Sequence, residues 1–226
     1  VILHLPSVLS SAQVSVFVDS LAEASWADGR VTAGDQSARV KHNLQLPEDA
    51  PEAKTLGDAV LADLASNADF LSAALPRRIY PPLFNRYGVG MGFGDHIDNA
   101  VRVSSDGARF RTDLSCTLFL SAPDAYDGGE LVIRDGAAER RVKLAAGDAV
   151  LYPAGTVHRV EPVTRGERLA CFFWVQSMVG DPHKRDLLGD LDRAIAAARG
   201  ALGDEHPAAV GLVGTYHNLV RLWAEV

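Results

Sequence analysis

Residues 92–102 read GFGDHIDNAVR and place His96 and Asp98 one residue apart, behind a run of glycines. In an extended segment, residues i and i+2 project to the same side. An H-x-D pair at a strand end therefore aims an imidazole and a carboxylate at one point. A second histidine from another strand would complete a two-histidine, one-carboxylate facial triad. That ligand set leaves coordination positions open and is typical of non-haem Fe(II) oxygenases. Alone the motif is weak. The chain has 7 histidines and many acidic residues, so an H-x-D also arises by chance, and an exposed polar loop would account for it equally well.

His158 is the natural third ligand. It follows YPAGTV at the mouth of a predicted strand, whereas His4, His42, His183, His206 and His217 fall in helical or flanking regions where surface or packing roles explain them. Arg168 lies ten residues beyond His158, on the next predicted strand after the VTRGE turn. It alternates with Ala170, Phe172 and Trp174, so it faces inward if they do. A buried guanidinium needs an anionic partner, and it grips a carboxylate through two parallel hydrogen bonds. Two readings stay open here: Arg168 anchors a carboxylate ligand, or it forms a strand-to-strand ion pair with Glu161 or Glu167. Asn85, Asn99 and Arg102 flank the candidate triad on its open side and are candidates to meet substrate.

These residues need rigid elements to hold them. Ser10 and Gln13 fit a capping box, and Val14, Phe17, Val18 and Leu21 recur at helical spacing, which predicts a helix over 10–25. A second helix is predicted over about 51–66, with Pro51 in its first turn, and a shorter one over about 68–75 before Pro76. Runs rich in branched and aromatic residues then alternate with Gly, Asp and Pro turns: 83–88, 110–120, 129–134, 139–145, 148–153, 157–163 and 167–177. Strands at this spacing predict a sandwich or barrel. In DGGEL (127–131) the paired glycines fit a sharp turn or a close strand approach. From about 178 the helical pattern returns, with Leu187, Leu188, Leu191, Ile195 and Ala198 on one helix and Tyr216, Leu219, Val220 and Trp223 on a second after Pro207.

Composition bounds the partners. The 226 residues are 47% hydrophobic and 23% charged, as in an ordinary globular protein, and the net charge of −7 argues against a general nucleic-acid binder. Cys116 and Cys171 sit in apolar, strand-like runs and read as buried free thiols in a reducing compartment. No signal-peptide pattern and no membrane-spanning run is found, so a cytoplasmic protein without a membrane partner is expected.

The stretches NRYGVGMGFGDHIDNAVR, LSCTLFLSAPDAYDGGELVI and AAGDAVLYPAGTVHRVEPVTRGERLACFFWVQS, with PPLFNRY upstream and HNLVRLWAE at 217–225, together resemble the bacterial PKHD-type hydroxylases. That group of Fe(II)/2-oxoglutarate dioxygenases includes the iron-uptake factor PiuC and is similar in its core to prolyl 4-hydroxylases. The resemblance implies an α+β fold: a double-stranded β-helix, or jelly roll, over 78–177, buttressed by N-terminal helices over 1–77, with a C-terminal helical module over 178–226. It implies Fe(II) on His96, Asp98 and His158, 2-oxoglutarate anchored through its C5 carboxylate by Arg168 and contacted by Tyr87, dioxygen as oxidant and ascorbate as a reductant. Phe93 stands where the related pattern often has a tyrosine, so a hydroxyl is missing there; Thr117 and Tyr152 are alternative sources. The expected reaction is hydroxylation of a siderophore-like small molecule or a protein side chain, coupled to decarboxylation of 2-oxoglutarate. A cupin-like Zn or Mn enzyme that does not use 2-oxoglutarate would have no need of Arg168 as a carboxylate anchor, and the complete triad argues against the other alternative, a non-catalytic metal-binding sensor, which turnover would settle. The C-terminal module is expected to pack on the core, control substrate access or pair two copies in a homo-oligomer.

Overall fold

A computed structural model describes residues 2–32, 34–103 and 107–226. In chain order the elements begin with β1 (Leu3–Leu5), α1 (Ser11–Ala22), β2 (Ala27–Asp28), a 3-10 turn (Gly29–Thr32), α2 (Asp35–Val40), β3 (Lys41–His42), β4 (Leu44–Gln45), α3 (Pro51–Leu64) and α4 (Ala68–Ala74). The middle of the chain gives β5 (Pro76–Ile79), β6 (Leu83–Tyr87), β7 (Gly92–His96), β8 (Val101–Val103), β9 (Arg109–Arg111), β10 (Leu114–Phe119) and β11 (Asp127–Gly128). Then come β12 (Leu131–Asp135), β13 (Ala138–Val142), β14 (Ala149–Pro153), β15 (His158–Val160), β16 (Val163–Arg165), β17 (Arg168–Ser177), α5 (Pro182–Leu202) and α6 (Pro207–Trp223).

The strands form two facing antiparallel sheets. The larger runs β1-β14-β10-β17-β6-β4-β2, with β5 also on β17, and the smaller runs β13-β12-β15-β7-β3. This is the α+β jelly-roll arrangement with helices on one outer face. Strand alternation separates the two faces of the larger sheet. Leu114, Cys116 and Leu118 of β10 and Leu169, Cys171, Phe173 and Val175 of β17 join a core with Val14, Phe17 and Leu21 of α1, Leu56, Val60 and Leu64 of α3, and Phe70 of α4. Tyr87, Phe119, Leu131, Ile133, Val150, Tyr152 and Val160 make a second core between the sheets. Both cysteines are free and buried.

The capping box forms: Gln13 N donates to Ser10 Oγ, and Ser10 N donates to Gln13 Oε1. Pro51 opens α3. The Gly128 pair is required by space as well as by conformation, since its φ is +71° and a Cβ there would lie 2.1 Å from the Pro162 oxygen.

Three expectations need correction. The first 77 residues are not only helical: they give β1 to β4 and the start of β5, and they feed both sheets. His4 and His42 therefore lie on strands, and His4 Nε2 pairs with Asp148 at 2.8 Å. The run 92–96, which carried no expected strand, is β7; its glycines admit close neighbours, with Val40 Cβ 3.0 Å from a Cβ built on Gly94. The expected strands 110–120 and 157–163 each divide, at 112–113 and 161–162.

The C-terminal helices form a hairpin against α4. Leu188 is buried with Leu75 and Val179, and Tyr216, Leu219, Val220 and Trp223 pack on them, whereas Leu187, expected on the same face, is exposed. Ser72 Oγ donates to Asp192 at 2.6 Å, and Arg111 reaches Glu225 near the chain end at 2.7 Å. No helix among the described residues is long and apolar enough to cross a membrane.

Candidate active site

The site lies between the sheets, where β7 and β15 pair. His96 and His158 are direct cross-strand partners, and a register irregularity follows between His158 and Val160. Their ring centroids are 4.2 Å apart. Each ring is oriented the same way: His96 Nδ1 bonds the Gly94 carbonyl at 2.8 Å, and His158 Nδ1 bonds the Thr156 carbonyl at 2.9 Å. A carbonyl accepts only, so Nδ1 carries the proton and Nε2 keeps its lone pair. Such bonds fix the tautomer a metal ligand needs.

Asp98 completes the group. It follows β7, with Ile97 turned out to solvent and the Asp98 carboxylate turned inward. Its Oδ2 lies 3.8 Å from His158 Nε2 and accepts a hydrogen bond from Ser115 Oγ of β10 at 2.5 Å. One ligand atom from each of His96, Asp98 and His158 lies within 4.8 Å of the others, a spread that can hold one ion. His96 is 7% exposed, and burial, then the charge of neighbouring His158, push its pKa down to about 4. The ring is thus neutral at pH 7 and able to ligate. Two imidazoles and one carboxylate fit Fe(II) in the facial arrangement.

Phe93 stacks on His96, centroids 3.5 Å apart and planes 11° from parallel. The residue that lacks the expected hydroxyl therefore braces the His96 ring. Thr117 and Tyr152 line the same cavity, and Tyr152 packs edge-on against His158 at 5.2 Å.

Arg168 begins β17 opposite Tyr87 of β6 and is 1% exposed. Its guanidinium carbon lies 5.3 Å from the ring centroids of both Tyr87 and Phe119. The ion-pair alternative is not what the structure shows. Glu167 pairs with Arg86, and Glu161 with Arg141 and Arg159. Arg168 Nε and Nη1 are buried without a hydrogen-bond partner among the described residues, as is the hydroxyl of nearby Tyr126. Burial pushes the Tyr126 phenol up, and the positive charge of Arg168 partly opposes this. Buried donors left open in this way mark a place for an anion.

A cavity of about 750 Å³, counted to its open mouth, is lined by His96, Asp98, His158, Arg168, Tyr87, Asn85, Asn99 and Arg102, so every residue singled out from the sequence meets there. Asn85 is buried with its Oδ1 unpartnered, Asn99 is exposed at the rim, and Arg102 stacks on Trp174. Sequence reasoning missed Lys41, Ser115 and Tyr126. Lys41 belongs to the segment where the chain leaves β7's sheet through β3 and enters the other through β4, a crossing with no local pattern.

A model of the 2OG-Fe(II) oxygenase superfamily matches residues 82–176, and one of the PKHD-type hydroxylase C-terminal domain matches residues 183–225. A PKHD-type hydroxylase of Gluconobacter oxydans is 57% identical over 226 residues, covering 100% of both chains. The chain belongs to the PKHD-type hydroxylase family. It is an enzyme of the 2OG-Fe(II) oxygenase superfamily, a hydroxylase. The fold likeness extends further. A prolyl-4-hydroxylase from Pseudomonas putida aligns with TM-score 0.52 at 21% identity, over 78% of this chain and 92% of that one. HygX from Streptomyces hygroscopicus, solved with nickel and 2-oxoglutarate bound, aligns with TM-score 0.52 at 16% identity, over 76% and 81%.

Proposed function

We propose that this hydroxylase couples oxidation of its substrate to decarboxylation of 2-oxoglutarate to succinate and CO2, with His96, Asp98 and His158 as Fe(II) ligands and Arg168 as the 2-oxoglutarate anchor. The observation that carries the reading is the buried guanidinium of Arg168, open on Nε and Nη1, in the cavity that holds the three ligands. A metalloenzyme without a dicarboxylate co-substrate has no use for it. Bound at the triad, the iron supplies the activation of dioxygen that inserts oxygen into a C–H bond.

The protein's own part is orientation. The Gly94 and Thr156 carbonyls hold both imidazoles as Nδ1–H tautomers, and Ser115 fixes the Asp98 carboxylate. Arg168 offers unpartnered, buried N–H donors to the far carboxylate, and Tyr87, its cross-strand partner, walls that end of the cavity. Phe93, Phe172 and Trp174 supply apolar walls to the same cavity. Asn85, Asn99 and Arg102 face the substrate side. Dioxygen is the oxidant, and ascorbate is the reductant that the family resemblance leads us to add. Substrates of either kind, a small molecule or a protein side chain, reach the site through the same mouth.

The test is Fe(II)-dependent conversion of 2-oxoglutarate to succinate, followed by NMR with and without candidate substrates. Wild type should turn over slowly alone, and His96→Ala and His158→Ala should not turn over. Wild-type rates of succinate formation in either variant would exclude the triad.

A further inference from the structure

The turn DGGEL (127–131) packs on the segment that leads into Arg168, and Tyr126, the residue before it, ends beside the Arg168 guanidinium. The Tyr126 side chain is fully buried. Gly129 leaves room for its ring, since a Cβ there would lie 3.0 Å from Tyr126 Cε2. Gly166, two residues before Arg168, lets the backbone come close: a Cβ there would lie 2.1 Å from the Ala125 oxygen and 3.1 Å from Tyr126 Cα. Lys143 Nζ sits 4.0 Å from the centroid of the Tyr126 ring and donates to the Tyr126 carbonyl at 2.6 Å. Arg165 donates to Asp127 at 2.7 Å on the outside of the same packing. The stretch that carries Tyr126 and the stretch that carries Arg168 are thus tied together.

A hydroxyl this far from solvent ordinarily has a hydrogen-bond partner. That of Tyr126 has none among the described residues, and neither do Nε and Nη1 of Arg168. The shape of a guanidinium decides how an incoming carboxylate changes this. Nε and Nη1 point along different edges of the plane, with Nη2 between them. A carboxylate closes a two-bond fork on Nη2 and one of its neighbours, never on Nε and Nη1 together. With a carboxylate held in that way, one of the two buried donors of Arg168 still needs an acceptor. A phenol oxygen can be one. Tyr126 itself stands outside the residues that line the cavity, so it does not compete for the ligand.

We propose that Tyr126 is a positioning residue for Arg168: its hydroxyl accepts a hydrogen bond from the guanidinium and holds it in the orientation that receives the far carboxylate of the co-substrate. The paired glycines of DGGEL serve to seat the Tyr126 ring for this purpose. The inference rests on the reading above, in which Arg168 anchors 2-oxoglutarate. Tyr126 then touches neither metal nor co-substrate and acts only through Arg168. The bond joins a charged donor to a neutral acceptor in a buried place, where such bonds are strong.

The experiment measures binding, not turnover. Full-length protein is loaded with Ni(II), and calorimetry follows 2-oxoglutarate into wild type, Tyr126→Phe, Arg168→Ala and the double variant. Phenylalanine keeps the ring and its packing and removes only the hydroxyl. Tyr126→Phe should bind 2-oxoglutarate roughly tenfold more weakly, the scale of one hydrogen bond to a charged group. In the Arg168→Ala background the same substitution should change affinity by less than about twofold, because the two residues act as one unit. Thermal unfolding of the metal-free protein separates orientation from packing. Without co-substrate the hydroxyl has no partner, so Tyr126→Phe should unfold at the wild-type temperature or above it. A Tyr126→Phe protein that binds 2-oxoglutarate as wild type does overturns the proposal, and so does an equal loss in both backgrounds. A loss of affinity accompanied by a lower unfolding temperature of the free protein also overturns it, since packing would then be the cause. A wild type that does not bind 2-oxoglutarate, or binds it no better than Arg168→Ala does, overturns the proposed function itself. Binding that depends on Arg168 with no effect of Tyr126→Phe overturns only the role of Tyr126.

Discussion

At the residue scale the chemistry depends on which nitrogen each histidine presents. The Gly94 and Thr156 carbonyls take both Nδ1 protons, so Nε2 is the atom each ring can offer to a metal. Removing either ring leaves two ligands, and His96→Ala or His158→Ala should abolish stable Fe(II) binding, read by anaerobic metal titration. His96 also gives a pH signature to the metal-free protein. Burial and His158 lower its pKa from 6.5 to about 4 in the folded state. Between those values the unfolded chain binds the proton and the folded chain does not, so stability falls as pH drops through that window and this group has no effect above it. Urea unfolding of metal-free protein at pH 7 and pH 5 should show the loss, and His96→Leu should flatten it. An equal pH dependence in that variant would assign the effect to other groups.

At the element scale, two strands of one sheet bring the histidines together and a strand of the other steadies the carboxylate. Ser115 on β10 is the contact between them. Ser115→Ala should weaken metal binding by on the order of 10-fold, as loss of an outer-sphere partner does, with little change in unfolding midpoint. Gly128→Ala tests the turn between β11 and β12, where β11 pairs with β16. Its left-handed φ and the Pro162 oxygen 2.1 Å from a built Cβ should cost more than about 1 kcal/mol in calorimetric stability. Much of this scale was legible in the sequence. The capping box at Ser10, the helices at 51 and 68, and the alternation of β17 that turns Arg168 inward are local patterns, and the structure contains each. What was hidden is what long-range pairing decides. β7 is too glycine-rich to show an apolar alternation, and β3 and β4 are two residues each. Lys41 therefore reaches the cavity from a segment with no readable signal. Likewise nothing local showed that Glu161 and Glu167 would be taken by other arginines and leave Arg168 without an acid.

At the scale of the whole molecule, α1, α3 and α4 pack on the outer face of the large sheet, and the C-terminal hairpin packs against α4. Leu188 of α5 is fully buried against Leu75, which follows α4, and Val179. Leu188→Ala should cost about 2–5 kcal/mol of stability, whereas Leu222→Ala, at an exposed position, should cost almost nothing. Equal effects of the two would mean that the hairpin does not pack as described.

The central claim is that Arg168 is kept unpaired for a carboxylate of 2-oxoglutarate, and direct titration of the co-substrate tests it. Calorimetry of 2-oxoglutarate into anaerobic, metal-loaded wild type and Arg168→Ala should show affinity lower by roughly 30-fold or more in the variant, because a buried charge-assisted pair is worth about 2–5 kcal/mol. Metal affinity measured without co-substrate should be the same in both proteins, since Arg168 is not a ligand, and Arg168→Lys should recover only part of the loss. A folded Arg168→Ala protein that binds 2-oxoglutarate as tightly as wild type would contradict the account.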